Sequence, residues 1–256
     1  MNNNLYISKI QKQINEFRKT YINTQKMMAK LSIESKKITK QWESIGISIK
    51  KESINFKERY EIAYNEIFQN IDILAKNGWT IPINFTFAET INLIKLNDSE
   101  KINNILLNYY TCSENKTFNN MANSLLECNI LSKWKTLLYE CIKAFNQKMY
   151  TITIPSLLTI LEGMMTKILE KQTHVRMIGP CEKKFEEQED FSVDKLLWYS
   201  YYKFVKELYS KKPFDQPQPY ILNRNWILHG RSSTEWDISD SLRIFVSIET
   251  LKTILL

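Results

Sequence analysis

Glycine and proline are scarce in this chain. Five glycines and six prolines among 256 residues are too few turn-formers for a fold built of many short strands. Long apolar runs are missing as well. No stretch of about 18 apolar residues occurs, so no segment is expected to cross a bilayer. The opening Met1-Asn2-Asn3-Asn4 has neither the basic nor the apolar part of a signal peptide, which points to the cytoplasm.

Histidine is rarer still, with His174 and His229 alone. The four cysteines, Cys112, Cys128, Cys141 and Cys181, are widely spaced and form no C-x-x-C pair. A structural zinc site is therefore not expected, nor any metal mechanism that needs several histidines. Free thiols in a reducing compartment suit this spacing better. The phosphate-cradling G-x-x-x-x-G-K-[ST] and G-x-G-x-x-G elements are absent, which argues against nucleotide hydrolysis and dinucleotide binding. So is G-x-S-x-G, and no Cys–His arrangement suggests acyl transfer. No cofactor is expected.

What is present is helical periodicity, carried mainly by Leu and Ile with Lys, Glu and Asn between them. Apolar positions three and four apart run over 4–45 and again over 55–76, where Asn77-Gly78 makes a stop signal. Gly78-Trp79-Thr80-Ile81-Pro82 demands extended backbone, and 81–87 is read as a connector that pins Trp79 against the bundle. Short helices are expected at 88–95 and 98–110, then a polar, irregular seam at 111–120. A long helix over 121–149 is expected to break near Asn129. The most apolar helix is read over 154–170, with Pro155 in its first turn. A charged loop at 171–191 surrounds Gly179-Pro180-Cys181, and His174 at its edge is read as a surface residue before a substrate contact. An aromatic-rich helix over 194–210 and a proline-bearing connector over 211–220 follow. A final amphipathic helix runs over 237–256. The Tyr and Trp stripes are read as core. The expectation is an all-α helical bundle, with an N-terminal helical region at 1–115 and a C-terminal helical domain at 121–256.

Charge is unevenly placed. The net charge is +7. Residues 1–60 hold 13 Lys+Arg against 5 Asp+Glu, and the remaining residues hold 22 against 23. The excess thus lies in the N-terminal stretch, either as a solvated helix face or as an arm that attracts RNA or another polyanion.

The chemistry concentrates in Asn223-Arg224-Asn225-Trp226-Ile227-Leu228-His229-Gly230. On a helix, Asn225 and His229 share a face, and Arg224 is long enough to bend over the same point. A titratable imidazole, an amide and a permanent cation suit an anionic substrate such as a phosphodiester. Upstream, Glu162 lies among Ile160, Leu161, Met164 and Met165. A carboxylate so surrounded faces a polar rim or needs a partner, and Arg224 is the candidate that it would orient.

Arg224, Asn225 and His229 resemble the R-x4-6-H signature of the HEPN superfamily, in which a polar residue commonly follows the arginine. Over roughly 125–256, the helices and the Leu228-His229-Gly230 ending are similar to C-terminal HEPN domains of abortive-infection proteins. The resemblance implies a metal-independent endoribonuclease, acting as a toxin in defence against phage and leaving 2′,3′-cyclic phosphate ends. It also implies an active site at a dimer interface, hence a homodimer or higher even oligomer. Chemistry alone asks for the same, because acid and base are most simply two histidines and each chain supplies one at this motif. RNA (tRNA, mRNA or rRNA) would be the substrate, and an antitoxin or other regulatory partner would fit such a role. Two other readings stay open: a catalytically silent dimer that holds RNA or protein, and a structural adaptor acting through residues 1–60.

Overall fold

The computed structural model describes Thr24, Met27, residues 56–168 and residues 177–256. The helix expected over 4–45, nearly all of the basic stretch 1–60, the end of the helix expected to reach Glu170, and His174 lie outside the described residues. The chain divides into two compact units, Met1–Ile54 and Asn55–Leu256. The helical bundle is the second unit.

Among the described residues every regular element is a helix. In chain order the bundle holds α1 (Phe56–Asn70), α2 (Asp72–Lys76), α3 (Phe87–Lys95), α4 (Ser99–Leu126), a 3₁₀ turn (Asn129–Trp134), α5 (Lys135–Asn146), α6 (Tyr150–Met165), α7 (Ile178–Glu186), α8 (Val193–Leu208), α9 (Arg224–Leu228) and α10 (Ile238–Ile254). None of the described helices is long and apolar enough to cross a membrane. Starts follow local chemistry. Thr86 and Glu89 close a capping box on α3, Asp98 caps α4, Ser192 caps α8, and Asp237 with Asp240 caps α10. Asn77 ends α2, and Gly78 turns the chain with φ +78°, a conformation that glycine adopts without strain.

The centre of the bundle is α10, packed against α6, α8 and α4. It was expected to be amphipathic, yet Ser239 through Leu251 include twelve buried residues. Part of the apparent polar face is made of small hydroxyls that bond within the helix. Ser247 Oγ donates to the Ile244 carbonyl at 2.8 Å and Thr250 Oγ1 to that of Val246 at 3.0 Å, so these side chains enter the core with their donors satisfied. Around α10, α5 packs on α6, α7 on α8, and α1 on α3 and α8. Trp79, Tyr110, Phe118, Tyr201 and Phe245 are among the largest fully buried side chains. Each contributes about 1.5–3 kcal/mol or more of apolar burial.

Three stretches differ from expectation. The stretch 111–120 is irregular as expected at Cys112–Asn115, where the backbone leaves the helix, but helix resumes after it and Phe118 is fully buried against Phe145 and Phe245. The anticipated seam thus falls inside one compact unit, because a single buried aromatic outweighs a polar composition. Residues 178–186 form α7 instead of a loop. Pro180 occupies its first turn, where a missing N–H costs nothing, while Cys181 is fully buried and Phe185 stacks on Tyr199 at 4.6 Å. Helix α6 starts at Tyr150, so Pro155 lies inside it and not in its first turn. Buried Ile154, Leu157 and Leu158 on either side outweigh the lost backbone bond.

Candidate active site

The C-terminal end of α8 builds the site. Its cap residue, Tyr209, turns its hydroxyl to Glu162 Oε1 on α6 at 3.2 Å. The next residue, Ser210, anchors the motif: Asn223 Nδ2 donates to the Ser210 carbonyl at 2.9 Å. Asn223 is itself the N-cap of α9, its Oδ1 accepting from the backbone N–H groups of Asn225 and Trp226, both at 3.2 Å. A single buried amide therefore joins the end of one helix to the start of the next. The connector between them wraps the motif, for Trp226 Nε1 donates to the Lys212 carbonyl at 3.1 Å and Phe214 packs on Trp226 at 5.5 Å.

The motif does not open the final helix. It forms its own short helix, α9, and α10 begins at Ile238. Arg224 leads α9 and is gripped by Glu162. Its Nε donates to Glu162 Oε1 at 2.5 Å and its Nη2 to Oε2 at 3.2 Å, a two-pronged match of guanidinium to carboxylate. The guanidinium carbon lies 5.9 Å from the centre of the Tyr209 ring, a cation–π distance. The hydrogen bonds that Arg224 donates to Glu162 hold its pKa above its ordinary value, against the opposing effect of burial. Burial, with Glu162 beside it, pushes the Tyr209 hydroxyl well above the usual phenol range, so it remains a donor to the carboxylate.

Of the five guanidinium N–H donors, Glu162 takes one at Nε and one at Nη2. Nη1 makes a long 3.5 Å contact to Asn225 Oδ1. The remaining two N–H donors have no partner among the described residues, and the Arg224 side chain is 29% exposed. The structure thus brings Arg224, Asn225 and Glu162 into one hydrogen-bonded set.

His229 stands apart from that set. It is the C-cap of α9, tied by its backbone N–H to the Asn225 carbonyl at 3.1 Å, and its side chain is exposed. Among the described residues the imidazole has no hydrogen-bond partner. Its contact is an edge-on approach to the Phe214 ring at 5.8 Å. Within one chain the imidazole and the guanidinium belong to the two ends of α9, five residues apart, without bonding to each other.

Four residues here were not expected as parts of a site: Tyr209, Phe214, Asn223 and Arg231. Asn223 carried a readable signal, an asparagine directly before a short helix. Tyr209 sits on a stripe otherwise read as core. Phe214 and Arg231 had no signal, since their meeting depends on how the proline connector folds back. Charge placement also changes at this scale. Residues 209–231 hold Lys211, Lys212, Arg224 and Arg231 against Asp215 alone, a local basic stretch hidden in the near-neutral total for the chain beyond residue 60. A small cleft on the Trp226 side, lined by Tyr220, Glu235, Trp236 and Asp240 among others, has carboxylates and no lysine or arginine in its wall. It does not suit a phosphate.

All four cysteines are free thiols, and burial pushes those of Cys141 and Cys181 up to about 12, so neither is a nucleophile near neutral pH. Among the described residues no three His, Cys, Asp or Glu side chains group as metal ligands. Comparison with protein-family models, with curated proteins and with solved structures finds no match to this chain.

Proposed function

We propose that this chain is a metal-independent endoribonuclease whose catalytic residues are Arg224, Asn225 and His229, with Glu162 orienting Arg224. The observation that carries the reading is the two-pronged grip of Glu162 on a part-exposed guanidinium that keeps further N–H donors, in the same short motif as an exposed imidazole. Orienting a cation while leaving donors free is what stabilising a developing phosphorane requires. The ribose 2′-oxygen attacks the adjacent phosphorus as a His229 imidazole takes the hydroxyl proton. The bond from phosphorus to the 5′-oxygen then breaks, and that oxygen receives a proton. The products are a 2′,3′-cyclic phosphate and a 5′-hydroxyl.

The second proton transfer calls for a second imidazole, so the working form is a dimer, or higher even oligomer, in which two copies of the motif meet. The exposure of His229, without a side-chain hydrogen-bond partner among the described residues, supports that arrangement. A role as a toxin or abortive-infection effector, with tRNA, mRNA or rRNA as substrate and an antitoxin or other regulator as partner, rests on the HEPN resemblance. A cytoplasmic location goes with it.

The lack of any bond between His229 and Arg224 within one chain favours a second reading, a silent HEPN-like module that holds RNA or a partner protein. One experiment separates the two. Purified protein is incubated with total RNA in EDTA, and fragment ends are tested for cyclic phosphate. As a nuclease it yields such ends in EDTA, and His229→Ala and Arg224→Ala abolish them while the fold and oligomeric state persist. A strict need for magnesium, or cleavage that survives both substitutions, contradicts the proposed mechanism, and no cleavage by wild type leaves the silent module.

A further inference from the structure

Arg224 is not the only guanidinium at this site. Two residues beyond His229, exposed Arg231 places its guanidinium carbon 5.4 Å from the centre of the Phe214 ring. The same ring meets His229 at 5.8 Å and Trp226 at 5.5 Å. Backbone bonds set the position, because the Arg231 N–H donates to the Trp226 carbonyl at 2.8 Å. That Trp226 ring is in turn tied to the Lys212 carbonyl. The loop after the motif is therefore folded back so that one aromatic ring, 45% exposed, carries a cation and the imidazole together.

The two arginines differ in what surrounds them. Arg224 has a carboxylate on one edge. Arg231 has no carboxylate partner among the described residues, and its positive charge is held in place by a ring contact alone. Such a contact restrains a guanidinium without neutralising it. A single-stranded polyanion lying across His229 presents one phosphate for reaction and others on either side. We propose that Arg231, seated on Phe214, binds an RNA phosphate flanking the one held at His229. The proposal rests on the RNA reading given above and adds the residue that sets the strand's register beside the reacting bond.

The test measures binding, so it does not depend on catalysis. His229→Ala protein, unable to use the imidazole, is titrated into a short fluorescent single-stranded RNA oligonucleotide over a series of salt concentrations. Each phosphate contact adds about 0.7 to the slope of log affinity against log salt. Adding Arg231→Ala is expected to weaken binding and reduce that slope by about 0.7, while Arg231→Lys, which keeps the charge, restores it. If the His229→Ala protein binds RNA and Arg231→Ala leaves the slope unchanged, the subsite is wrong and the RNA reading stands. If the His229→Ala protein and wild type alike bind no RNA at low salt, the RNA reading fails and takes the subsite with it.

Discussion

Two arginine–carboxylate pairs among the described residues are built from the same chemistry in different surroundings. Arg243 and Asp240 lie on α10, 2.6 Å apart, with side chains 6% and 15% exposed. Arg224 and Glu162 join α9 to α6, 2.5 Å apart, with side chains 29% and 26% exposed. In the first pair Nη2 goes to Asn103 at 3.0 Å, the guanidinium lies over the Trp79 ring, and Nε is buried without a partner. Trp79 donates to the same Asn103 oxygen at 2.7 Å. In the second pair two N–H donors of the arginine have no partner among the described residues. Burial pushes the Asp240 carboxyl upward in spite of its neighbour Arg243, which is how a desolvated pair behaves when attraction barely repays the loss of water. Pairing alone therefore does not mark a site. Remaining exposure does.

Deleting each arginine in turn puts the two pairs in direct opposition. Arg243→Ala strands a buried carboxylate and leaves Asn103 short of a donor. It is expected to lower unfolding free energy by about 3–5 kcal/mol, or to prevent folding outright. Arg224→Ala is expected to cost about 1 kcal/mol or less but to remove RNA cleavage, a loss of about 10²–10³ if the guanidinium acts as an oxyanion stabiliser does. Denaturant titration and the cyclic-phosphate assay together decide. Equal losses of stability from the two substitutions would mean that Arg224 is a rivet like Arg243.

A third carboxylate has no cation upon it and shows what burial does alone. Glu249 on α10 is 7% exposed, with one oxygen buried and without a hydrogen bond. Burial raises its pKa from 4.5 to about 7, with Lys252 pulling the other way, and Tyr109 and Tyr110 face it. The folded state therefore holds this proton more tightly than the unfolded chain. The stability it contributes is full below about pH 4.5 and falls as pH rises to about 7, after which it is flat. Across that window the loss is on the order of 3 kcal/mol. Glu249→Gln is expected to flatten this part of the profile, so that the mutant gains on wild type as pH rises from about 4.5 to about 7. Parallel profiles for the two proteins would show that Glu249 stays charged in the fold.

How much of this is legible in the sequence depends on range. Helix starts are local, and Asp237, Asp98 and Asn77-Gly78 announce their ends correctly because a cap needs only its own neighbours. The Glu162–Arg224 pair is legible across 62 residues because a carboxylate among Ile160, Leu161, Met164 and Met165 either faces a polar rim or takes a partner, and Arg224 is the cation of the polar motif. The environment of α10 is not legible, since a serine that bonds its own helix looks the same in sequence as one facing water. Helix α7 is hidden by Gly179-Pro180, which reads as a turn unless Cys181 and Phe185 are known to meet α8. Phe214 and Arg231 lie beyond reach for a further reason. Prolines 213, 217 and 219 say that the connector is not helical, but not where it returns. Catalysis itself belongs to no single chain if two motifs must meet.

A finer distinction is whether the open pair needs a rigid base. Gly163 follows Glu162 in α6 and lies against the Trp134 ring. A Cβ built there would stand 2.5 Å from Trp134 Cε2 and closer still to Cζ2, distances that no side chain tolerates. Gly163→Ala must therefore move an indole or the helix, at a cost of about 1–3 kcal/mol. Were the site indifferent to sub-ångström shifts of Glu162, cleavage would be unchanged and only stability would fall. If Glu162 aims Arg224, the same shift tilts the guanidinium, and kcat should fall by about ten- to a hundredfold with little change in KM. The Arg243–Asp240 pair lies on another helix and should keep its contribution. A double substitution with Arg243→Ala is then expected to show additive stability losses. Marked non-additivity would mean that the two pairs share one structural response, and the distinction between rivet and site would collapse.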